Sequence, residues 1–283
     1  INMLRNYSNS RTLGDNIRLG TLTAFTAGTI NIASLLIFLS FTSNVTGHYA
    51  ILAAEISQGN WKQVLVVAGW IFLFFFGGFV ANLSVINFNK KSKYFAHALP
   101  IILEILCLLT VGIYGQFYYT KTLEETEALV ALMLFSTGLQ NGLTASISNF
   151  SVKTTHLTGT TTDLGILVSM FTQKKFRKNP ELIARAKLLS SIMAAYVLGA
   201  VFSGLTYYHL EFRVFYVISF CLLVVIGYDF YTINIRHFRT EYRYYKIYHK
   251  PTFIAFLYYK LHNKEEKRTI SRPSKAKLAF SEN

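Results

Sequence analysis

Six stretches of the chain stay apolar over about 20 residues each, and polar and charged residues collect between them instead of alternating within them. They cover residues 19–40, 64–86, 96–117, 127–147, 188–208 and 214–233. Each is long enough to cross a hydrocarbon layer of ~30 Å at about 1.5 Å per residue. A lipid-exposed backbone must satisfy its own hydrogen bonds, so the stretches predict helices. Composition agrees: 52% of the 283 residues are hydrophobic and only 15% are charged, against about 25% in soluble domains. That excludes disordered, collagen-like and disulfide-scaffold classes and predicts an all-α integral membrane protein. The first apolar run follows a polar lead and is long enough to span, so it reads as a transmembrane helix, not a cleavable signal.

The basic residues predict an orientation. Three lie in the lead (Arg5, Arg11, Arg18), three after the second span (Lys90, Lys91, Lys93) and six after the fourth, between Lys174 and Lys187. Twelve follow residue 233, whereas the intervening loops hold only Lys62, Lys121 and Arg213. Lys153 lies too close to span 4 to be assigned a side. The positive-inside rule then puts both termini in the cytoplasm.

The chain also repeats itself. Gly28-Thr29-Ile30-Asn31 in span 1 returns as Gly138-Leu139-Gln140-Asn141 in span 4, and Thr42-Ser43-Asn44-Val45-Thr46-Gly47 returns as Thr154-Thr155-His156-Leu157-Thr158-Gly159. Cys107-Leu108-Leu109 returns as Cys221-Leu222-Leu223. The offsets are 110, 112 and 114 residues, in the same order. A unit of three spans is odd, so the second copy enters the membrane from the opposite side. The expected architecture is therefore two inverted three-helix repeats with interrupted or re-entrant segments, as in many secondary transporters. It divides into a cytoplasmic lead (1–18), a first repeat (19–118), a second, inverted repeat (119–234) and a basic cytoplasmic tail (235–283).

After each hydroxyl-rich block comes a segment too short to cross, 48–57 and 160–171. Thr160 and Asp163 have capping-box spacing, which predicts a helix start there. A helix N-terminus offers free N–H groups and a positive dipole end to an anion or polar solute. The candidate substrate-binding residues are accordingly Asn31, Thr42, Ser43, Asn44, Thr46, Gly47, Gln140, Asn141, Thr154, Thr155, His156, Thr158, Gly159 and Asp163. Polar surface loops with ordinary turn chemistry are the alternative.

The blocks Phe41-Thr42-Ser43-Asn44-Val45-Thr46-Gly47-His48, Gln140-Asn141-Gly142, Thr154 to Gly159 and Asp163-Leu164-Gly165 resemble the YoaK-like family of bacterial inner-membrane proteins, classed under a domain of unknown function. The likeness covers residues 20–233 and leaves the basic tail outside. It implies a multi-pass protein of the bacterial inner (plasma) membrane and supplies no substrate.

Ionisable side chains in a bilayer are costly and are functional candidates by default. Glu104, about a third of the way into span 3, is either a proton-coupling group or a satisfied structural hydrogen-bonding partner; His156 is the second candidate for proton coupling. Asn31 and Asn141 sit mid-span, where amides also bond neighbouring helices. Cys107 and Cys221 lie in apolar runs and read as small hydrophobes. Gly77, Gly78 and Gly199 predict close helix approach. No nucleophile elbow, zinc-protease helix, Walker loop or dinucleotide fingerprint occurs, so neither an enzyme nor a cofactor or metal site is expected.

Beyond residue 233, Arg236, Arg239, Arg243, Lys246 and Lys250 interleave with aromatic residues, and the tail carries +8 of the net charge of +14. A juxtamembrane position favours anionic lipid headgroups over nucleic acid. The pattern fits a secondary transporter or facilitator for a small polar or anionic solute. A non-transporting membrane subunit, binding anionic lipid or a partner protein through the tail, is the alternative; a homo-oligomer is compatible with either.

Overall fold

The computed structural model describes residues 12–89 and 92–227, and all of them belong to the first of two compact units, Ile1–Phe230. The second unit, Tyr231–Asn283, and with it the basic tail, lies outside the described residues. Every regular element among the described residues is helical.

Helix α1 (Leu13–Phe38) opens on a capping box: Thr12 Oγ1 accepts from the Asp15 N–H at 3.2 Å, and the Thr12 N–H donates to Asp15 Oδ2 at 3.1 Å. It stops where Leu39 turns left-handed at φ 56°. Helix α2 (Val45–Gln58) follows, capped by Asn44, whose Oδ1 accepts from the Gly47 N–H at 3.1 Å. Gly59, at φ 72°, turns the chain into α3 (Trp61–Phe88). Then come α4 (Lys93–Phe117), which keeps Pro100 inside it, and α5 (Leu123–Ile147), capped by Thr122. Helix α6 (Leu157–Phe171) and the single turn α7 (Lys174–Arg177) lead to α8 (Pro180–Leu210). Asn179 caps α8 by accepting from the Glu181 and Leu182 N–H groups at 2.9 and 3.4 Å, with Pro180 at a position that needs no N–H donor. A 3₁₀ turn, Glu211–Arg213, precedes a helical segment, 214–227.

Five segments are long and apolar enough to cross a membrane: Leu13–Phe38, Trp61–Phe88, Tyr94–Phe117, Leu123–Ile147 and Pro180–Gly227. This is a helical, multi-pass membrane type of chain. The expected count of six is not reached among the described residues, because the fifth and sixth apolar runs join in one 48-residue segment. That segment would measure about 72 Å if straight, more than twice a ~30 Å layer. It breaks at Glu211, where φ is 43°. Helices α2 and α6, of 14 and 15 residues, rise only about 21 and 22 Å and fall short of a crossing. The start expected for the second short segment at Thr160 is wrong by one turn. Helix α6 begins at Leu157, and the Thr160 hydroxyl donates back to the His156 carbonyl at 2.9 Å instead of capping.

Two parallel helix pairs dominate the packing. In the first, Gly20 of α1 faces Ile192 of α8, Gly28 faces Tyr196, and the Tyr207 hydroxyl donates to the Leu36 carbonyl at 3.2 Å. In the second, Gln63 of α3 donates to Glu127 of α5 at 2.8 Å, Gly77 faces Gly138, and Ser146 Oγ donates to Asn82 Oδ1 at 2.9 Å. The two crossings are built alike. A Cβ on Gly28 would collide with the Tyr196 carbonyl and one on Gly138 with the Phe74 carbonyl; in return, Gly199 abuts Phe25 and Gly77 abuts Phe135. Lipid tails are as apolar as leucine, so such backbone approach, more than hydrophobicity, holds these pairs together. Helix α4 packs on α3 and α5. Residues 214–227 run back along α4: Tyr216 faces Gly112, and the Tyr94 hydroxyl donates to the Ile226 carbonyl at 2.8 Å. Ile30, Leu108, Met133, Leu139 and Phe215 fill the core between them, while Phe72, Phe75 and Phe79 of α3 face outward.

Candidate functional site

The turn from α1 into α2 is held from inside α1. Asn31 is buried, and its Oδ1 accepts from the backbone N–H groups of Thr42 and Ser43 at 3.0 and 3.1 Å. Its Nδ2 donates to the Tyr196 hydroxyl at 2.8 Å, which ties the turn to α8. In the second half, Asn141 plays the same part toward the turn into α6. Its Oδ1 accepts from Thr154 Oγ1 at 3.0 Å, and its Nδ2 donates to Thr155 Oγ1 at 2.8 Å. Thr42 and Thr154 are fully buried, and the Thr137 hydroxyl of α5 donates to the Thr42 carbonyl at 2.8 Å, stitching one half to the other.

These turns bring residues of both hydroxyl-rich blocks into the lining of one cleft of about 390 Å³. Asn31, Ser43, Asn44 and Thr46 line it from the first half, and Thr155, His156 and Thr158 from the second. Tyr196 and Phe74, from the two partner helices, complete the lining. Both short helices start at its edge, and they differ. Asn44 caps α2, whereas His156 makes no capping hydrogen bond, so the first N–H groups of α6 have no side-chain cap. Gly47 lies behind its wall, against Asn44.

Gly159 and Asp163 belong elsewhere. They line a second, larger cavity of about 650 Å³, together with Lys153, Arg185, Thr160 and again His156. Asp163 and Arg185 form an ion pair of 2.8 Å across α6 and α8. Gly159 gives the His156 ring its room, because a Cβ there would strike ring atoms Cδ2 and Nε2.

Gln140 also leaves the cleft. It points toward α1 and α4, where its Nε2 donates to Thr26 Oγ1 at 2.6 Å and to Glu104 Oε1 at 3.0 Å. Glu104 is 1% exposed. The Gln140 Oε1 and Ser136 Oγ atoms are buried without a hydrogen-bonding partner among the described residues. Glu104 thus sits in a buried network that contributes to the lining of neither cavity.

Helix α2 carries a buried histidine of its own. His48, 3% exposed, packs edge-on against Trp70 with ring centroids 5.4 Å apart, and the Trp70 Nε1–H donates to the Glu127 carbonyl at 3.0 Å. His48 Nε2 donates to the Phe41 carbonyl at 2.9 Å, which fixes the tautomer and leaves Nδ1 buried without a hydrogen-bonding partner among the described residues. Burial pushes the His48 imidazole below its ordinary range, and the bond to Phe41 only partly opposes this.

Tyr196, Phe74, Trp70, Thr137, Lys153 and Arg185 are site residues that sequence reasoning missed. Tyr196 carried one readable signal, a hydroxyl three residues before the close-packing Gly199. The tail residues Arg236, Arg239, Arg243, Lys246 and Lys250 lie outside the described residues.

A family model described as "Protein of unknown function (DUF1275)" matches residues 19–228. Neither the curated proteins nor the solved structures contain a match to the chain.

Proposed function

The chain belongs to the DUF1275 family of proteins of unknown function, and on that premise we propose that it is a secondary transporter or facilitator for a small polar or anionic solute. The observation that carries the reading is the shared cleft: two blocks more than 100 residues apart in sequence line one space of about 390 Å³. A polar loop that served only to connect helices would have no need to meet its repeat.

Matched contacts support two inverted three-helix repeats. Gly28 and Gly138 make equivalent contacts in parallel pairs α1–α8 and α3–α5, and Asn31 and Asn141 each hold the turn that follows. In this reading 214–227 opens the sixth span, and both termini are cytoplasmic in a bacterial plasma membrane of the YoaK-like type. Interrupted segments that meet where repeats join are the usual place for a transported solute. The uncapped start of α6 suits a carboxylate or another polar acceptor. Glu104 would carry the coupling proton, the protein is not an enzyme, and the basic tail rests on anionic lipid.

The test is a solute screen by thermal stabilisation, followed by uptake into proteoliposomes. A true substrate raises the melting temperature, because it binds the folded state alone. The shift should shrink in Ser43→Ala and in Thr155→Ala, and uptake should fall with it. Ligands that stabilise the protein equally in both variants, or that are bound and never moved, would leave the non-transporting subunit as the better reading.

A further inference from the structure

His156 lines both cavities, and that makes it the wall between them. We propose that the 650 Å³ cavity is the access vestibule of the cleft, that it favours solutes carrying negative charge, and that the His156 ring, seated over Gly159, is the gate between the two. The inference rests on reading the cleft as the solute site.

The charges of the vestibule set its preference. Arg185 is neutralised by Asp163 at 2.8 Å, but Lys153 has no ion-pair partner among the described residues, so the lining keeps a positive excess. A positive cavity with low-dielectric walls concentrates anions and repels cations. Asn16, Ser151 and Thr160 add polar groups that can replace part of a solute's hydration.

The gate follows from the seat. The His156 side chain is tied by no capping bond, and its ring lies where a Cβ on residue 159 would stand. Rotation of one side chain would join the two spaces. In this proposal the opposite side is closed by Trp70 and His48, which pack edge-on, with His48 held by the Phe41 carbonyl. The molecule is therefore open toward the end of the bundle where α1 and α8 begin, the end the basic loops mark as cytoplasmic.

Thiol labelling tests this without any known solute. Cys107 and Cys221 are replaced by alanine, Thr155→Cys is introduced, and membrane vesicles of both orientations are treated with an anionic sulfonatoethyl or a cationic trimethylammonioethyl methanethiosulfonate. Rates are normalised to a cysteine placed at an exposed site of the same chain. From the vestibule side the anionic reagent should react several-fold faster than the cationic one. Added salt should shrink that preference, Lys153→Gln should abolish it, and Lys153→Gln with Arg185→Gln, which leaves the Asp163 carboxylate unpaired, should reverse it. His156→Ala should speed both reagents, and Gly159→Ala, which displaces the ring, should alter both rates together. From the other side, labelling should require Trp70→Ala. Equal rates for the two reagents, equal access from both sides, or no response to His156→Ala would each overturn the proposal. Variants are compared only where their elution from size exclusion matches the parent. A protein that labels as described and moves no solute overturns the transport reading alone.

Discussion

Asn31 and Asn141 do the same work 110 residues apart: each stands inside a long helix and pins, through its side-chain oxygen, the turn that begins the next short helix. The first takes its two hydrogen bonds from backbone N–H groups, the second from a threonine hydroxyl.

That difference makes a prediction. Asn31→Ala leaves two backbone donors without their acceptor, at about 1–3 kcal/mol for each that stays dry. Asn141→Ala strands only side-chain hydroxyls, which can turn elsewhere, and should cost less. Tyr196→Phe, which removes one hydroxyl that lines the cleft, should cost least. Unfolding in mixed micelles as the denaturing detergent fraction rises gives the order, and a reversed order would refute it.

The glycines divide into two kinds. Gly28→Ala and Gly138→Ala each push a methyl group into a carbonyl of the facing helix, an overpacking cost of typically about 1–3 kcal/mol. The two sites lie in separate helix pairs, so the double variant should lose roughly the sum. Gly165 of α6 has open space around it, and Gly165→Ala should be neutral or slightly stabilising, as alanine is the better helix former. Melting of the purified variants checks all three.

Acid should loosen the His48 side. Its folded-state affinity for protons is lowered from the ordinary value of 6.5, so the unfolded chain binds more protons in the window just below that value. The contribution of the neutral ring is complete above pH 6.5, is lost as pH falls toward the depressed folded value, and changes no further beneath it. A His48→Asn variant should lack that slope in a plot of melting temperature against pH. An identical slope in both proteins assigns the acid sensitivity to another group.

Glu104 can be separated from its surroundings by choice of substitution. Glu104→Gln preserves a hydrogen-bonding partner for Gln140 and should fold as the parent does, whereas Glu104→Leu removes it and should destabilise. If the carboxyl carries the coupling proton, uptake by Glu104→Gln in proteoliposomes becomes independent of an imposed pH gradient. Unchanged pH dependence takes Glu104 out of the coupling step.

The spans were legible because a membrane demands long apolar runs and tolerates few interruptions. Their ends were not. Helix α1 starts at Leu13, six residues before its apolar run, because Thr12 and Asp15 form their capping box inside the polar lead. Helix α8 starts at Pro180, where the Asn179 cap hides among lysines and arginines. The start of α6 was misread because Thr160 and Asp163 imitate a capping box that His156 forestalls one turn earlier. The repeat exposed the two blocks, but it did not say which neighbour faces inward. Gln140 and Asn141 differ by about 100° around α5: Asn141 reaches the turn into α6 and does not line the cleft, and Gln140 reaches Glu104. Phe74 could not be picked out, since periodicity within a uniformly apolar run marks no preferred face, and Tyr196 offered only its spacing from Gly199.

The parallel pairing of α1 with α8 also constrains how the protein is made. Some 150 residues separate the end of α1 from the start of its partner's contact surface at Ile192. At translation rates of about 5–20 residues per second, α1 waits roughly 10–30 s before α8 leaves the ribosome. Throughout that delay Gly28, Thr29 and Asn31 confront lipid or the insertion machinery with a bare polar seam, while α3 meets α5 within a fraction of the time. Biogenesis should therefore be most vulnerable at α1, and a chaperone or insertase that shelters a half-polar helix is what this arrangement would call for.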